Sequence, residues 1–273
     1  RLCRDVTPTD QVSANVGLQR AHFDNRPSSA DYDRREAFLR YTSTLARFDA
    51  DVVLGGNQLS FDGGRDTSAP LFRARIGWQP TPRNAFNLSG TYQYADAAQD
   101  IITTPGVYTS AGAADRAESI DPFAHTAGLG RGTPSGIGVG SAVIGSQVYK
   151  ERRVEASWNW RSERINLTVS PSFNRLRYLD DHTFDQTARD ISVGLGYRIR
   201  PTLTLTGFVT AEKLKYDTID RRDNTVRVGL DLGQQWNRHW SWHVSAARER
   251  RNSDAVGQSY RETEFFVCVV YRR

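Results

Sequence analysis

Residues Leu71–Tyr94 carry the feature that most constrains the fold, a strict alternation of apolar and polar side chains on both sides of a short break. One parity is apolar and holds Phe72, Ala74, Ile76, Trp78, Phe86, Leu88, Tyr92 and Tyr94. The other parity carries arginine, asparagine, serine, threonine and glutamine. Because successive side chains of a strand point to opposite faces, this pattern predicts a β-hairpin that turns at Pro80–Asn84.

The same alternation returns along most of the chain and predicts an all-β, antiparallel up-and-down meander of about twelve strands. Short turns are expected at one end of the strands, and longer polar loops at the other. The predicted short turns are Arg47, Pro80–Asn84, Ser162–Arg164, Pro201 and Asn237–His239. We expect one domain over residues 1–273, with a long loop at Ala95–Gln147 that is extracellular or folded into the mouth.

The positions of the aromatic residues distinguish a membrane barrel from a soluble sandwich. All six tryptophans lie at the short-turn ends: Trp78, Trp158, Trp160, Trp236, Trp240 and Trp242. Tyrosines lie at the long-loop ends: Tyr32, Tyr94, Tyr149, Tyr178, Tyr216 and Tyr260. Two aromatic girdles around an apolar band are typical of a transmembrane β-barrel, because amphipathic rings prefer the headgroup level. The pattern therefore predicts an outer-membrane barrel with its apolar face towards lipid.

Composition excludes several other classes of protein. Formal net charge is +5, yet the arginines alternate with apolar residues inside strands, which is a poor match to a nucleic-acid surface. We therefore expect no nucleic-acid partner. Two cysteines, Cys3 and Cys268, are too few and too far apart for a metal site. We expect neither a metal nor a cofactor.

Four phrases carry a resemblance to a known family: GWQPTPRNAF, GYRIRPTLTL, YDRREAFLRY and VSPSFNRLRY. They resemble the putative beta-barrel porin 2 group of bacterial outer-membrane proteins. The resemblance implies a porin in the outer membrane, surrounded by lipid, in a setting of exopolysaccharide production and export. It also implies recognition by the outer-membrane assembly machinery, which usually reads a terminal aromatic. Here Tyr271 is followed by Arg272 and Arg273, a departure from that pattern.

If the apolar parity faces lipid, the polar parity lines the lumen. The lumen residues expected to bind or select solutes are Arg40, Asp51, Arg73, Arg75, Arg161, Arg198, Arg227, Asp231 and Glu249. Arginine binds carboxylates and phosphates through a planar fork. We therefore expect a channel for anionic solutes or an anionic polysaccharide, with Arg73, Arg75 and Arg227 as the main determinants. A purely structural role for these charges, paired across strands, is the alternative.

Two other functions stay open. The first is an outer-membrane enzyme that uses Asp180, Asp181 and His182 at the loop-side rim, although we expect no enzyme. The second is a closed structural or adhesion barrel. Asp5–Asp10 predicts a turn with no strand-length segment before it. We therefore expect the chain to be the C-terminal part of a larger barrel, with further strands upstream.

Overall fold

Alternating side chains produce long strands along the chain, and each strand pairs with its neighbours in sequence. The computed structural model describes residues 2–5, 7–22, 31–62, 66–95, 148–179 and 182–271. The strands are β1 (Leu2–Asp5), β2 (Asp10–Ala21), β3 (Tyr32–Leu45), β4 (Phe48–Phe61), β5 (Asp66–Thr81), β6 (Asn84–Ala95), β7 (Tyr149–Arg161), β8 (Ile165–Tyr178), β9 (Gln186–Arg200), β10 (Leu203–Tyr216), β11 (Arg222–Gln235), β12 (Trp240–Ser253) and β13 (Tyr260–Tyr271). All pairings are antiparallel.

The predicted up-and-down meander is confirmed, and each predicted strand is present. The sheet has thirteen strands because β1 adds to them and pairs with β2, with Leu2 opposite Ala14. The turn predicted at Asp5–Asp10 joins β1 to β2, although β1 has only four residues. Strand β5 begins at Asp66, in the polar segment that precedes the apolar alternation of Leu71–Tyr94. Backbone pairing with β4 continues there beyond the end of the apolar alternation, with Asp66 opposite Ser60.

The two faces of the sheet have opposite character, as the alternation predicts. Large apolar side chains are exposed on one face, with Leu18 and Phe265 at 78% and 79% of their full exposure. Polar and charged side chains are buried on the other, including Arg34 and Arg227 at 2% and 4%. A soluble sandwich buries its apolar face. This inverted arrangement is that of a barrel whose outer face meets lipid.

The polar face is the concave one. Arg34 on β3 donates from Nη2 to the Tyr94 carbonyl on β6 at 2.9 Å, with β4 and β5 between them. Strands lie about 4.8 Å apart in a sheet. Three such steps exceed the reach of one side chain on a flat sheet, so the strands must curl towards the polar face.

The predicted tyrosine girdle at the loop side is wrong for three of its members. Tyr32, Tyr94 and Tyr149 are almost fully buried. Tyr32 and Tyr94 pack with Leu59, Ala69 and Val148 in an apolar cluster. The parity of Tyr32, which it shares with the buried Arg34, places this cluster on the concave face.

The described part of the chain has two sheet edges and almost no helix. Among these residues β1 and β13 each pair with one neighbour only. The one helical element described is a three-residue turn, His182–Phe184. None of the described helices is long and apolar enough to cross a membrane. The predicted long loop Ala95–Gln147 falls on residues 96–147, outside the described residues.

Candidate functional site

The concave face carries every residue that the alternation assigned to the lumen. Strand register gives these residues the same parity as the buried polar side chains around them. They are Arg40 on β3, Asp51 on β4, Arg73 and Arg75 on β5, Arg161 on β7, Arg198 on β9, Arg227 and Asp231 on β11, and Glu249 on β12. The arginines among them differ in their surroundings: some are bound by neighbouring side chains, and others are exposed without a bound carboxylate among the described residues.

A buried cluster at the loop side of β3–β6 includes Arg34, which sequence reasoning did not select. Pro70 lacks a backbone N–H, and the paired register of β5 and β6 ends at Phe72 opposite Tyr92. On the loop side of that last pair, polar side chains form hydrogen bonds with the backbone of Tyr94. Arg34 donates to its carbonyl, and the Asn57 amide bridges the Tyr94 N–H at 3.3 Å and the Ala69 carbonyl at 2.9 Å.

The Arg34 guanidinium also pairs with Glu36, Nη2 to Oε1, at 2.5 Å. The ion pair with Glu36 and the hydrogen bond to the Tyr94 carbonyl offset part of the cost of burying this charge. The only sequence signal for this contact is Pro70, because a proline in a strand indicates interrupted pairing.

Arg73 lies next to this cluster and is held by β6. Its Nε donates to Gln93 Oε1 at 2.6 Å, and Gln93 Nε2 lies 3.4 Å from Glu151 Oε2 on β7. Gln93 and Glu151 are both buried. This series of side-chain hydrogen bonds, from Arg73 through Gln93 to Glu151, crosses the three adjacent strands β5, β6 and β7. Arg73 therefore offers little free surface to a solute.

Arg75, one step towards the turn side, has a different environment. Asp51 is its cross-strand partner in register, but the Asp51 carboxylate bonds Arg40 in bidentate fashion, with Nε to Oδ1 at 2.8 Å. Arg75 is exposed and makes no ion pair with any residue that the structure describes. The Arg40–Asp51 pair is itself part-exposed. Arg75 is therefore the accessible cation of this group.

Arg227 is the centre of a buried network in the C-terminal half. Its guanidinium lies 2.8 Å from Glu264 on β13 and 3.9 Å from Glu249 on β12. The Tyr260 hydroxyl on β13 donates to Glu249 at 2.6 Å. The network therefore ties the last three strands together on the concave face.

A second buried pair on the same face is Asp223 with Arg251 at 2.5 Å, joined by Arg221 at 3.0 Å. The carboxylates of these two networks neutralise the arginines around them. Arg227 is therefore not an accessible cation, in contrast to the prediction from sequence that it is one of the main determinants.

Arg161 and Arg198 lie at the turn-side ends of β7 and β9 and are both exposed. Neither forms an ion pair within the described ranges of the chain. Gly194 and Gly196 share the parity of Arg198 on β9. A Cβ atom built at Gly194, four residues from Arg198 along β9, would meet nothing within 4 Å, whereas one at Gly196 would lie 3.7 Å from the Asn166 Cβ; the concave face is therefore open at the level of Gly194.

The tryptophans occupy the turn-side end of the sheet. Trp78, Phe86 and Trp158 are stacked on neighbouring strands, with ring centroids 5.6 and 6.4 Å apart. Trp240 packs on Tyr271 at 4.9 Å. Trp160 and Trp242 share the outward parity, and Trp236 lies at the start of the last short turn, between β11 and β12.

The histidine of the candidate catalytic cluster has a structural partner. His182 Nδ1 lies 3.2 Å from Asp185 Oδ2, and Asp185 accepts the Tyr178 N–H at 2.7 Å. These contacts close the connection between β8 and β9. Asp180 and Asp181 lie outside the described residues. Within the described residues no group of three or more potential ligands could hold a metal ion.

Comparison with protein families agrees with this arrangement. Residues 153–273 match the family model described as putative beta-barrel porin 2. The match covers the C-terminal part of the chain. The matched segment runs from within β7 to the end of the chain and includes the buried Arg227 network. The protein is an outer-membrane β-barrel.

Solved structures show the same fold at low sequence identity. OmpT of Vibrio cholerae, expressed in the outer membrane, is 10% identical over 97% of this chain and 77% of that chain, with a TM-score of 0.51. The copper transporter OprC is 10% identical over 96% of this chain and 45% of its own, also with a TM-score of 0.51. These likenesses concern the fold alone. No curated protein matches the sequence significantly.

Proposed function

We propose that the barrel is a channel that favours anionic solutes, and that it acts without catalysis. The proposal is supported by one observation: Arg75, Arg161 and Arg198 are exposed on the concave face with no carboxylate bound to them among the described residues. Exposed guanidinium groups in a water-filled lumen attract anions and repel cations.

The turn-side half of the concave face is the proposed selective region. The loop-side part of β3–β6 is occupied by the packed cluster around Tyr32 and Tyr94. By contrast, the concave face is open at Gly194, four residues from Arg198 along β9. An anion crossing the barrel would therefore meet accessible arginines near the short turns, where Arg40 and Asp51 add a paired charge.

The substrate class follows from the chemistry of arginine. Its fork binds carboxylate and phosphate groups through two parallel hydrogen bonds. Uronate-bearing glycans and small organic acids both present such groups. We propose carboxylate-bearing solutes as the cargo, including anionic polysaccharide, in keeping with the resemblance of the four turn and strand phrases.

Conductance of the purified full chain in planar bilayers tests the channel. The reversal potential in a salt gradient should show anion preference. Arg75→Ala combined with Arg198→Ala should move that preference towards zero, since both removed charges are exposed to the lumen. Arg238→Ala, an exposed arginine in a short turn, serves as the matched control and should leave selectivity unchanged.

Two results would contradict the proposal. A protein that inserts and conducts no ions would instead be a closed barrel, consistent with the packed loop-side cluster. Cation preference that survives the double substitution would show that the buried carboxylates dominate the field. Arg227→Gln separates the effect of the buried carboxylates from that of the exposed arginines. It leaves Glu264 and Glu249 without their neutralising cation, so it should reduce anion preference even with Arg75 intact.

A further inference from the structure

Charges on β7–β13 are sorted between the two faces of the sheet. Every carboxylate within these strands lies on the concave parity: Glu151, Glu155, Asp190, Glu212, Asp223, Asp231, Glu249, Glu262 and Glu264. Many basic residues lie on the outward parity, and they all lie towards the loop-side ends of their strands. They are Lys150, Arg152, Arg175, Arg177, Arg189, Lys213, Lys215, Arg222, Arg248, Arg250 and Arg261. We call these outward residues the basic belt.

Strand register places like charges of the basic belt directly opposite each other. The opposed pairs are Lys150 with Arg177, Arg152 with Arg175, Arg189 with Lys213, Lys215 with Arg222, and Arg250 with Arg261. Like charges at opposed positions destabilise a sheet. The arrangement is therefore favourable only where an anion lies between the cations.

The protein supplies few anions to the belt. Asp217 in a loop lies 3.4 Å from Arg175, and Asp220 lies 3.7 Å from Arg222. Within the described strands β7–β13 no carboxylate shares the belt's parity. The N-terminal strands differ in this respect, because an outward arginine near their loop-side ends pairs with a carboxylate of the neighbouring strand: Arg20 on β2 lies 2.8 Å from Asp33 on β3.

The belt adjoins the lipid-facing apolar surface. Along β11 and β12 the outward positions change from Val226 and Val244 on the apolar surface to Arg222 and Arg248 towards the loops. Aromatic rings lie at the same border, with the Arg152 guanidinium 5.0 Å from the Tyr92 ring centroid and Arg189 6.0 Å from that of Phe173. Long basic side chains at such a border reach the headgroup level while their stems cover apolar surface.

We infer that the basic belt binds the phosphate groups of a polyanionic glycolipid in the membrane leaflet on the loop side. A lipid with several phosphates fits best, because it can bridge opposed cations on neighbouring strands and its acyl chains can lie on the apolar surface below. Arginine forks bind phosphate oxygens in bidentate fashion, and lysine adds point charges. This site is independent of the lumen and of any conductance.

Binding of diphosphorylated lipid A to the full chain in zwitterionic detergent tests the inference, with native mass spectrometry as the readout. Arg189→Gln combined with Lys213→Gln removes one opposed pair. A basic residue at an anionic surface contributes about fivefold in affinity, so we expect roughly 25-fold weaker binding. Arg83→Gln combined with Arg238→Gln makes the same charge change at the turn side and should bind as the parent does.

The source of the phosphate is distinguished in the same assay. Phosphatidylcholine, which carries no net charge, should bind far more weakly than lipid A. Inorganic phosphate at the same concentration should not displace the glycolipid. Equal binding of lipid A to the belt variant and the parent would overturn the inference, as would equal binding of phosphatidylcholine and lipid A.

Folding of the belt variant gives a second readout. Because it relieves repulsion between opposed cations, Arg189→Gln with Lys213→Gln should raise the midpoint of thermal unfolding in lipid-free zwitterionic detergent. Lipid A should then raise the midpoint of the parent more than that of the variant. An equal lipid-induced rise in both proteins would count against the belt.

Discussion

At the scale of single residues, the partner of a side chain decides its role more than its type does. Arg34 and Arg35 are adjacent arginines on β3 with opposite environments. Arg34 is buried and bonded to Tyr94 and Glu36, whereas Arg35 is exposed on the outward face. A buried ion pair loses much more when one partner is removed than an exposed charge does.

We expect Arg34→Gln to lower the free energy of unfolding by about 3 kcal/mol, because Glu36 and the Tyr94 carbonyl lose their charged donor. Arg35→Gln should change it by less than about 0.5 kcal/mol. Urea unfolding of the barrel reconstituted in lipid, followed by tryptophan fluorescence, measures both values. Equal effects of the two substitutions would contradict the structural role assigned to Arg34.

At the scale of the strands, close approach of backbones and the parity of side chains determine which substitutions are accepted. Gly55 and Gly56 are adjacent on β4. A Cβ atom built at Gly55 would lie 2.5 Å from the Phe38 Cβ and would also collide with the Ala37 carbonyl oxygen on β3. At Gly56 the nearest atom would be 3.8 Å away.

Gly55→Ala should therefore destabilise the β3–β4 pairing by about 2 kcal/mol or more, because backbone atoms cannot move aside as a flexible side-chain end can. Gly56→Ala is the matched control and should be nearly neutral. Two measurements test this: the fraction of folded barrel that survives heating, determined on SDS gels run in the cold, and the midpoint of unfolding in urea. A more harmful Gly56→Ala would show that β4 packs differently.

The parity of β10 and β11 gives a second prediction at this scale. Leu230 lies outward near the middle of β11 and is 57% exposed, while Thr206 on β10 faces the concave side opposite Asp231. Leu230→Arg should lower stability in lipid by about 2–4 kcal/mol if it lies near the bilayer midplane. Thr206→Arg should be tolerated, since its charge would face Asp231. The reverse order would invert the assignment of the faces.

At the scale of the whole molecule, the connections of the meander are asymmetric. Two-residue connections join β3 to β4, β5 to β6 and β9 to β10 at one end, and longer connections lie at the other. Outer-membrane barrels have short periplasmic turns and longer extracellular loops. The basic belt lies on the long-loop side, which this rule places at the cell surface.

Cysteine labelling on intact cells tests this orientation in a background where Cys3 and Cys268 are replaced by serine. Asp220→Cys in a longer connection should react with a membrane-impermeant maleimide, because the rule places it outside the cell. Arg83→Cys in a short turn should react only after the cells are lysed. Labelling of both positions on intact cells would remove the argument for the orientation.

The sequence by itself determined the strands, most of their boundaries, the short turns and the two faces, because period-two alternation is a local property of consecutive residues. Tertiary structure alone decided which lumen arginines are free. Arg227 meets Glu264 across β12, and Arg34 meets Tyr94 across β4 and β5. Those contacts depend on register and on the curl of the sheet. Neither can be deduced from alternation, which assigns a face to each side chain but no partner.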